Sequence, residues 1–283
     1  MDNRSFKKIF GISQYPTVEF GLEDISQQAR NITGKVSISG VQPKLVVEFD
    51  KKKNVLVPNA RGEYILKSQT SSFPHLPENE QCCMDIADEI GIDVPPHFLF
   101  PLKDKSLAYV VKRFDRKNRQ KIHQEDFFQI LGPKDKYIGS VERIGRKLKE
   151  ISSVPGLDMQ LFFERVIFYF LIGNGDAHFK NYSIAYREDG QIRLTPAYDI
   201  VCSRLVTKDD ESALAIHGKN NDLERKDFEA LAEYLNIPAK IRYESFKGKE
   251  GLFIEIIRAS QLPADFKENF VTIVRSRFKR LEL

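Results

Sequence analysis

The sequence predicts an α+β fold in two lobes, a small strand-rich one followed by a larger helical one. Three observations carry that expectation. Short runs of β-branched and aromatic residues gather before about residue 115, as in Leu45-Val46-Val47, Tyr64-Ile65-Leu66 and Tyr109-Val110-Val111. Beyond that point apolar residues recur at helical spacing, as in Phe228, Leu231, Ala232 and Leu235. The stretch through Leu161, Phe162, Val166, Ile167, Phe170 and Leu171 is apolar nearly all round, which marks a helix buried in a large core. A chain of 283 residues is long enough to build one.

Taken in order, Val41 to Phe49 has strand composition, and Glu63 to Lys67 forms a second short apolar strand. A helix from about Glu80 to Ile90 sets Cys83, Ile86, Ala87 and Ile90 on one face, with Gly91 at its C-terminal cap and Pro95-Pro96 preventing continuation. Ala108 to Arg113 reads as a third strand. The lobe boundary falls near Phe114 to Arg119, which divides the chain into residues 1–115 and 116–283. Asp158 is placed to cap the buried helix. A hairpin follows, Tyr182 to Tyr186 with Ile192 to Thr195, turning at Glu188-Asp189-Gly190. Phe266 to Phe278 suggests a closing helix whose basic run, Arg275 to Arg280, reads as its solvated face. No internal repeat or low-complexity tract interrupts this order.

Composition narrows the function classes. Apolar residues make up 41% and charged residues 30%, ordinary for a globular protein, and a net charge of +4 does not call for nucleic acid. The 21 phenylalanines are read as core rather than as a stacking platform. Three cysteines, two of them adjacent, make no disulfide framework, and none lies at ligand spacing from a histidine. His75, His97 and His217 are read as surface or packing residues. Without a leader-like N-terminus or an apolar run of spanning length, the expected location is cytoplasmic and a membrane is not an expected partner. Export into a host cell by a route that leaves no N-terminal signal stays open.

The strongest chemical signal is Gly173-Asn174-Gly175-Asp176-Ala177-His178-Phe179-Lys180-Asn181, directly after the buried helix. Asp176 and Asn181 have the spacing of a kinase catalytic loop, in which the Asp takes the acceptor hydroxyl proton and the Asn holds Mg²⁺. His178 and Lys180 lie inside this loop, where they could orient Asp176 or touch phosphate. Alone, such a pair is common in polar turns. A second carboxylate, Asp199 in Pro196-Ala197-Tyr198-Asp199, follows the hairpin and could bridge the metal to nucleotide phosphates; its plain alternative is a helix N-cap. Lys67 ends a short buried strand, as a phosphate-binding lysine does, although most such lysines merely reach solvent. Glu80 is a candidate partner for it. The small, polar loop Val36 to Lys44 could cover phosphates with backbone N–H groups, or be only a turn.

In order along the chain, the segments Ser37 to Lys44, Tyr64 to Lys67, Val111-Lys112-Arg113-Phe114-Asp115-Arg116, His123 to Asp126, Asp176 to Asn181 and Pro196 to Asp199 resemble HipA-type serine/threonine kinases over roughly residues 34 to 280. The Ser-Ile-Ser loop and the short stretch before it look most like HipT, the toxin of HipBST toxin–antitoxin systems. The resemblance implies a bilobal protein-kinase-like fold with ATP and Mg²⁺ as cofactors. It implies Asp176 as general base, Asn181 and Asp199 on Mg²⁺, and Lys67, Ser39 and Gly40 on the ATP phosphates. Lys112 to Phe114 would grip adenine as a hinge, with Tyr198 near the nucleotide and Ser37 and Ser39 as autophosphorylation sites. It further implies a protein substrate, an aminoacyl-tRNA synthetase (tryptophanyl for HipT, glutamyl for HipA), whose modification inhibits translation. HipS-like and HipB-like antitoxins would be partners, with DNA reached only through a HipB-like repressor. Two departures stand out. Lys112 replaces the usual Glu of the hinge, and only about 35 residues precede the loop, where HipA has an extra subdomain. The competing readings are a small-molecule phosphotransferase, which shares the Asp-to-Asn spacing, and a catalytically silent binding module.

Overall fold

The computed structural model describes residues 17–25, 42–117, 120–208 and 210–283. Ser37, Ser39 and Gly40 lie outside them. The chain divides into two compact units, residues 1–81 with 95–121 and residues 82–94 with 122–283. Each is taken by itself below.

Period-two burial builds the first unit. Leu45, Val47 and Phe49 of β1 (Lys44–Asp50) and Tyr64 and Leu66 of β3 (Tyr64–Ser68) turn to one face, while their neighbours turn to the other. With β2 (Val55–Pro58), β4 (His97–Pro101) and β5 (Leu107–Lys112) they form an antiparallel sheet in the order β2-β1-β3-β5-β4. Its buried face gathers Phe98, Phe100, Ala108 and Val110 and is closed by Val18, Phe20 and Ile25. On the opposite face Lys67 stands across from Lys44 of β1 and Tyr109 of β5. β2 and β4 were not expected. β2 is a four-residue strand behind a polar turn in which Asn54 takes the left-handed conformation (φ 53°), and β4 follows directly on the prolines read as a helix stop. A two-residue ladder joins β6 (Arg116–Lys117) to β7 (Gln120–Lys121).

Helix α1 (Leu76–Glu89) contains the division between the units and begins four residues before Glu80, its first N–H bond running from Asn79 to the His75 carbonyl. Its end is as expected. Gly91 has φ 90°, and the Ile92 N–H returns to the Ala87 carbonyl in a left-handed cap.

The second unit carries a three-stranded antiparallel sheet, β10 (Ile192–Leu194), β9 (Ser183–Tyr186) and β8 (His123–Asp126), in that order. Its helices are α2 (Phe127–Leu131), α3 (Val141–Ile151), α4 (Pro155–Leu171), α5 (Arg225–Tyr234), α6 (Glu250–Ala259) and α7 (Ala264–Leu281). α4 is the buried helix, with Phe162, Phe163, Ile167 and Phe168 wholly covered.

Two expectations are corrected here. α4 starts at Pro155, whose fixed φ suits a first helical turn, so Asp158 lies inside the helix instead of capping it. Fully buried, Asp158 accepts from the Ser152 hydroxyl at 2.6 Å, from Arg193 Nε and Nη2 at 3.0 and 2.9 Å, and from the Leu194 N–H at 3.1 Å. The basic run of α7 is not simply solvated either. Arg277 is 5% exposed, lies 4.3 Å from the Phe170 ring centroid and pairs with Glu211, as does Arg280.

Candidate active site

The rigidity of α4 sets the loop that leaves it. Gly173, at φ 71°, turns the chain, and the Asn174 N–H closes the helix on the Tyr169 carbonyl at 2.8 Å. Asn174 Oδ1 then accepts the Asp176 N–H (3.1 Å), and the Ser203 hydroxyl accepts the Gly175 N–H (2.9 Å). Position 175 must be glycine: a Cβ there would stand 2.1 Å from the Asp210 carbonyl oxygen. The backbone beside Asp176 is therefore held on both sides before the carboxylate is reached.

Asp176 is half-buried, and its Oδ1 accepts a hydrogen bond from the Tyr137 hydroxyl at 2.8 Å. The His178 N–H donates to the Asp176 carbonyl (2.8 Å) and to Asn181 Oδ1 (3.0 Å). Asn181 is 4% exposed, and its Nδ2 reaches Asp199 Oδ2 at 3.4 Å. Asp199 is exposed and has φ 59°, a conformation that costs a non-glycine residue about 1 kcal/mol. It persists because the preceding segment is fixed. The Ala197 N–H bonds to the Asp93 carbonyl at 2.7 Å, and Arg165 Nη2 donates to the Thr195 carbonyl at 2.7 Å. No helix starts at Asp199, so the N-cap alternative is set aside.

The donor chemistry fits Mg²⁺. Asn181 and Asp199 present an amide and a carboxylate within one ion's reach, and Mg²⁺ takes one or two protein oxygens beside water and phosphate. The Asn181 oxygen accepts the His178 N–H, and rotation of the amide would turn that oxygen toward a bound cation. Among the described residues no cluster of three or more His, Cys, Asp or Glu side chains has metal-holding geometry.

Tyr198, expected near the nucleotide, is tied to the catalytic loop. Its hydroxyl donates to the Lys180 carbonyl at 2.7 Å and bonds Ser183 Oγ, which makes it a brace beneath the loop. Burial carries its phenol far above the usual range. Lys180 Nζ lies 4.8 Å from the Phe128 ring centroid. His178 is 6% exposed, and its Nε2 accepts from Lys136 Nζ at 2.7 Å. Burial lowers its imidazole below the ordinary value and Lys136 adds to this, against the upward pull of Asp176. The ring is thus held neutral, as an acceptor of the lysine's proton.

In the first unit Lys67 Nζ meets Glu80 Oε1 at 2.7 Å, with side chains 12% and 2% exposed. The ammonium also lies 5.8 Å from the Tyr109 ring centroid. Gln42 and Pro43, just after the Ser-Ile-Ser loop, are tied to Ser68: Gln42 Nε2 donates to the Ser68 carbonyl and the Ser68 N–H to the Pro43 carbonyl, at 2.8 and 3.1 Å. Gln42 and Pro43 are therefore anchored next to Lys67. In the proposed hinge the Lys112 N–H is taken by the Pro96 carbonyl and the Arg113 N–H by the Glu63 carbonyl, both at 2.8 Å. An adenine at Lys112 would have to use the carbonyl.

Sequence reasoning missed Lys136 and Tyr137, two side chains that touch the loop from outside it. Nothing local marks them, because both contacts span about forty positions in sequence.

The profile of the HipA-like C-terminal domain matches residues 36–259. A Haemophilus influenzae protein named "Putative kinase" is 36% identical over 180 residues, covering 59% of this chain and 52% of its own length. The serine/threonine-protein kinase toxin HipA of Shewanella oneidensis is 30% identical over 195 residues, covering 59% of this chain and 43% of its own. This chain spans about half the length of the curated relatives it matches. HipA of Shewanella oneidensis MR-1, solved with HipB and operator DNA, superposes with a TM-score of 0.75 at 21% identity, over 93% of this chain and 72% of that one. The Helicobacter pylori proinflammatory kinase CtkA superposes at 0.59 with 14% identity, over 83% of this chain and 93% of its own. These two likenesses establish the α+β, kinase-like fold.

Proposed function

We propose, from the fact that the chain belongs to the family of HipA-like C-terminal domains, that it transfers the γ-phosphate of ATP to serine or threonine hydroxyls of proteins. The observation that carries this reading is the Asp176, Asn181 and Asp199 arrangement, in which an exposed aspartate on strained backbone stands 3.4 Å from a buried asparagine amide. Asp176 accepts the proton of the acceptor hydroxyl, whose oxygen bonds to the γ-phosphorus as the bond to ADP breaks. Asn181 and Asp199 hold Mg²⁺, which neutralises phosphate charge when bound. The smaller unit carries Lys67, kept extended by Glu80, for the nucleotide phosphates; Lys112 to Phe114 serve adenine.

In its finer form the reading is a HipT-like toxin. The Ser37-Ile38-Ser39-Gly40 sequence supports it; Gln42 and Pro43, which follow it, are tied to Ser68 beside Lys67. A phosphate on Ser37 or Ser39 would add nearly two negative charges where ATP phosphates bind and weaken nucleotide binding. The target in this form is an aminoacyl-tRNA synthetase, and HipB-like and HipS-like proteins are the antitoxins. A HipA structure in complex with HipB and DNA supports the HipB-like partner. DNA is then met only through that repressor.

The test uses dephosphorylated wild type and Asp176→Asn, each incubated with Mg²⁺ and ATP. Trypsin releases Val36 to Lys44, which holds both serines. Phosphate on this peptide in wild type alone supports a protein kinase with a self-modified loop. ATP binding with no phosphate gained by either protein would favour the small-molecule kinase or the silent module.

A further inference from the structure

The turn between α2 and α3 is built onto the catalytic loop. It leaves the left-handed cap at Gly132 and ends at Ser140, whose hydroxyl caps α3 by accepting the Arg143 N–H. Within it Asp135 shapes a tight bend, its Oδ1 accepting the Tyr137 N–H at 2.8 Å. Three positions of the turn then reach the loop. The Lys136 carbonyl accepts the Phe179 N–H at 3.3 Å, and its ammonium donates to His178 Nε2 at 2.7 Å. The Tyr137 ring stands edge-on to His178 with centroids 5.1 Å apart, and its hydroxyl donates to Asp176 Oδ1 at 2.8 Å. Gly139 lies so close to Phe179 that a Cβ would come within 2.4 Å of the ring.

Burial does not explain this tyrosine, since 45% of it is exposed. The bond to Asp176 does something more particular. It occupies one carboxylate oxygen and leaves Oδ2 without a protein hydrogen bond among the described residues. A carboxylate that rotates about its Cβ–Cγ bond offers the acceptor either oxygen in many directions, and misplacement by about 1 Å costs up to about a hundred-fold in rate.

We propose that Tyr137 is a positioning residue for Asp176. Its hydroxyl pins Oδ1 so that Oδ2 faces the acceptor, and Lys136, through His178, keeps the loop in register. The inference rests on Asp176 being the base of the proposed reaction. The same hydroxyl could instead sit in the seat of the acceptor and block it. The several ties between the turn and the loop favour positioning, because a blocking side chain must swing away at each turnover.

Tyr137→Phe keeps the ring against His178 and deletes only the hydroxyl. Three quantities are compared with wild type: the saturating rate of phosphate transfer from labelled ATP onto the dephosphorylated protein, the KM for ATP, and amide hydrogen exchange across residues 174–181. The expected result is a rate roughly ten- to a hundred-fold lower, an unchanged KM for ATP, faster exchange at 174–181 and an unchanged melting temperature. A purely structural tyrosine would lower the melting temperature and leave the rate per folded molecule alone, which overturns the proposal. An equal or higher rate also overturns it, the higher one in favour of a blocking role. If wild type transfers no phosphate, the kinase reading falls, and exchange alone decides: faster exchange in the variant supports the clamp, and identical exchange overturns it.

Discussion

Two aspartates of the larger unit behave in opposite ways. Asp158 has no exposed surface, and both of its oxygens are engaged by Ser152, Arg193 and the Leu194 N–H. Asp199 is exposed, stands on left-handed backbone and faces an asparagine amide at 3.4 Å. A buried carboxylate is tolerated when every lone pair has a donor, and Asp158 meets that condition by tying the start of α4 to β10. Asp199 is exposed and strained instead, so burial does not account for it. The strain is kept because the neighbouring backbone is fixed elsewhere, which is the pattern expected where a side chain is held ready for a ligand. One region converts charge into architecture, and the other holds charge available.

The sharpest way to break this contrast is Asp199→Gly. Glycine enters the left-handed region without strain, so the variant should keep its stability or gain up to about 1 kcal/mol in urea unfolding. Mg²⁺-dependent ATP binding should be lost, and turnover should fall by about a thousand-fold. A stable variant with full turnover would remove Asp199 from the chemistry.

Asp158→Ala should do the reverse. Leaving the Arg193 guanidinium and the Leu194 N–H without their acceptor should cost about 3 kcal/mol or more, read as a lower urea midpoint, while activity per folded molecule survives. An unchanged midpoint would show that the pair contributes little and that the contrast is overdrawn.

Lys67 sits between these extremes. Its partner Glu80 is 2% exposed at the side chain, so Lys67→Met should weaken ATP binding and also destabilise by about 3 kcal/mol. Lys67→Met combined with Glu80→Gln should recover much of the stability and none of the binding. Failure of that recovery would mean that Glu80 is held by more than the lysine.

The smallest effect concerns His178. Its folded pKa is depressed, chiefly by burial, so the unfolded chain takes up the proton first as pH falls. The stability tied to the neutral ring is therefore complete above about pH 6.5 and declines as pH drops toward the folded value. His178→Gln should flatten that acid limb in urea melts at pH 5 against pH 7.5. An identical limb would mean that another group carries it.

What could be read from the sequence follows from how local each signal is. The Asp176 and Asn181 pair stood out as candidates because a short polar loop after an apolar helix is a contiguous pattern, and β1, β3 and β5 were legible because their apolar runs are uninterrupted. β2 and β4 were hidden by a lysine-rich turn and by prolines. Asp158 was misread because a capping aspartate and a buried one in the first helical turn look alike until Arg193 is placed. Tyr137 could not be found at all, since its meaning lies in a contact made by folding. For the same reason the tie of the Tyr198 hydroxyl to Lys180 and Ser183 could not be read from the sequence.

In the proposed reaction Asp176 serves chemistry and not architecture. The direct test of this role pairs ATP affinity, by calorimetry with Mg²⁺, with the single-turnover rate of phosphate transfer, in wild type and in Asp176→Asn. Equal affinity and equal stability are expected, with a rate about a hundred- to ten-thousand-fold lower in the variant. Equal rates in the two proteins, or a variant that fails to fold, would contradict it.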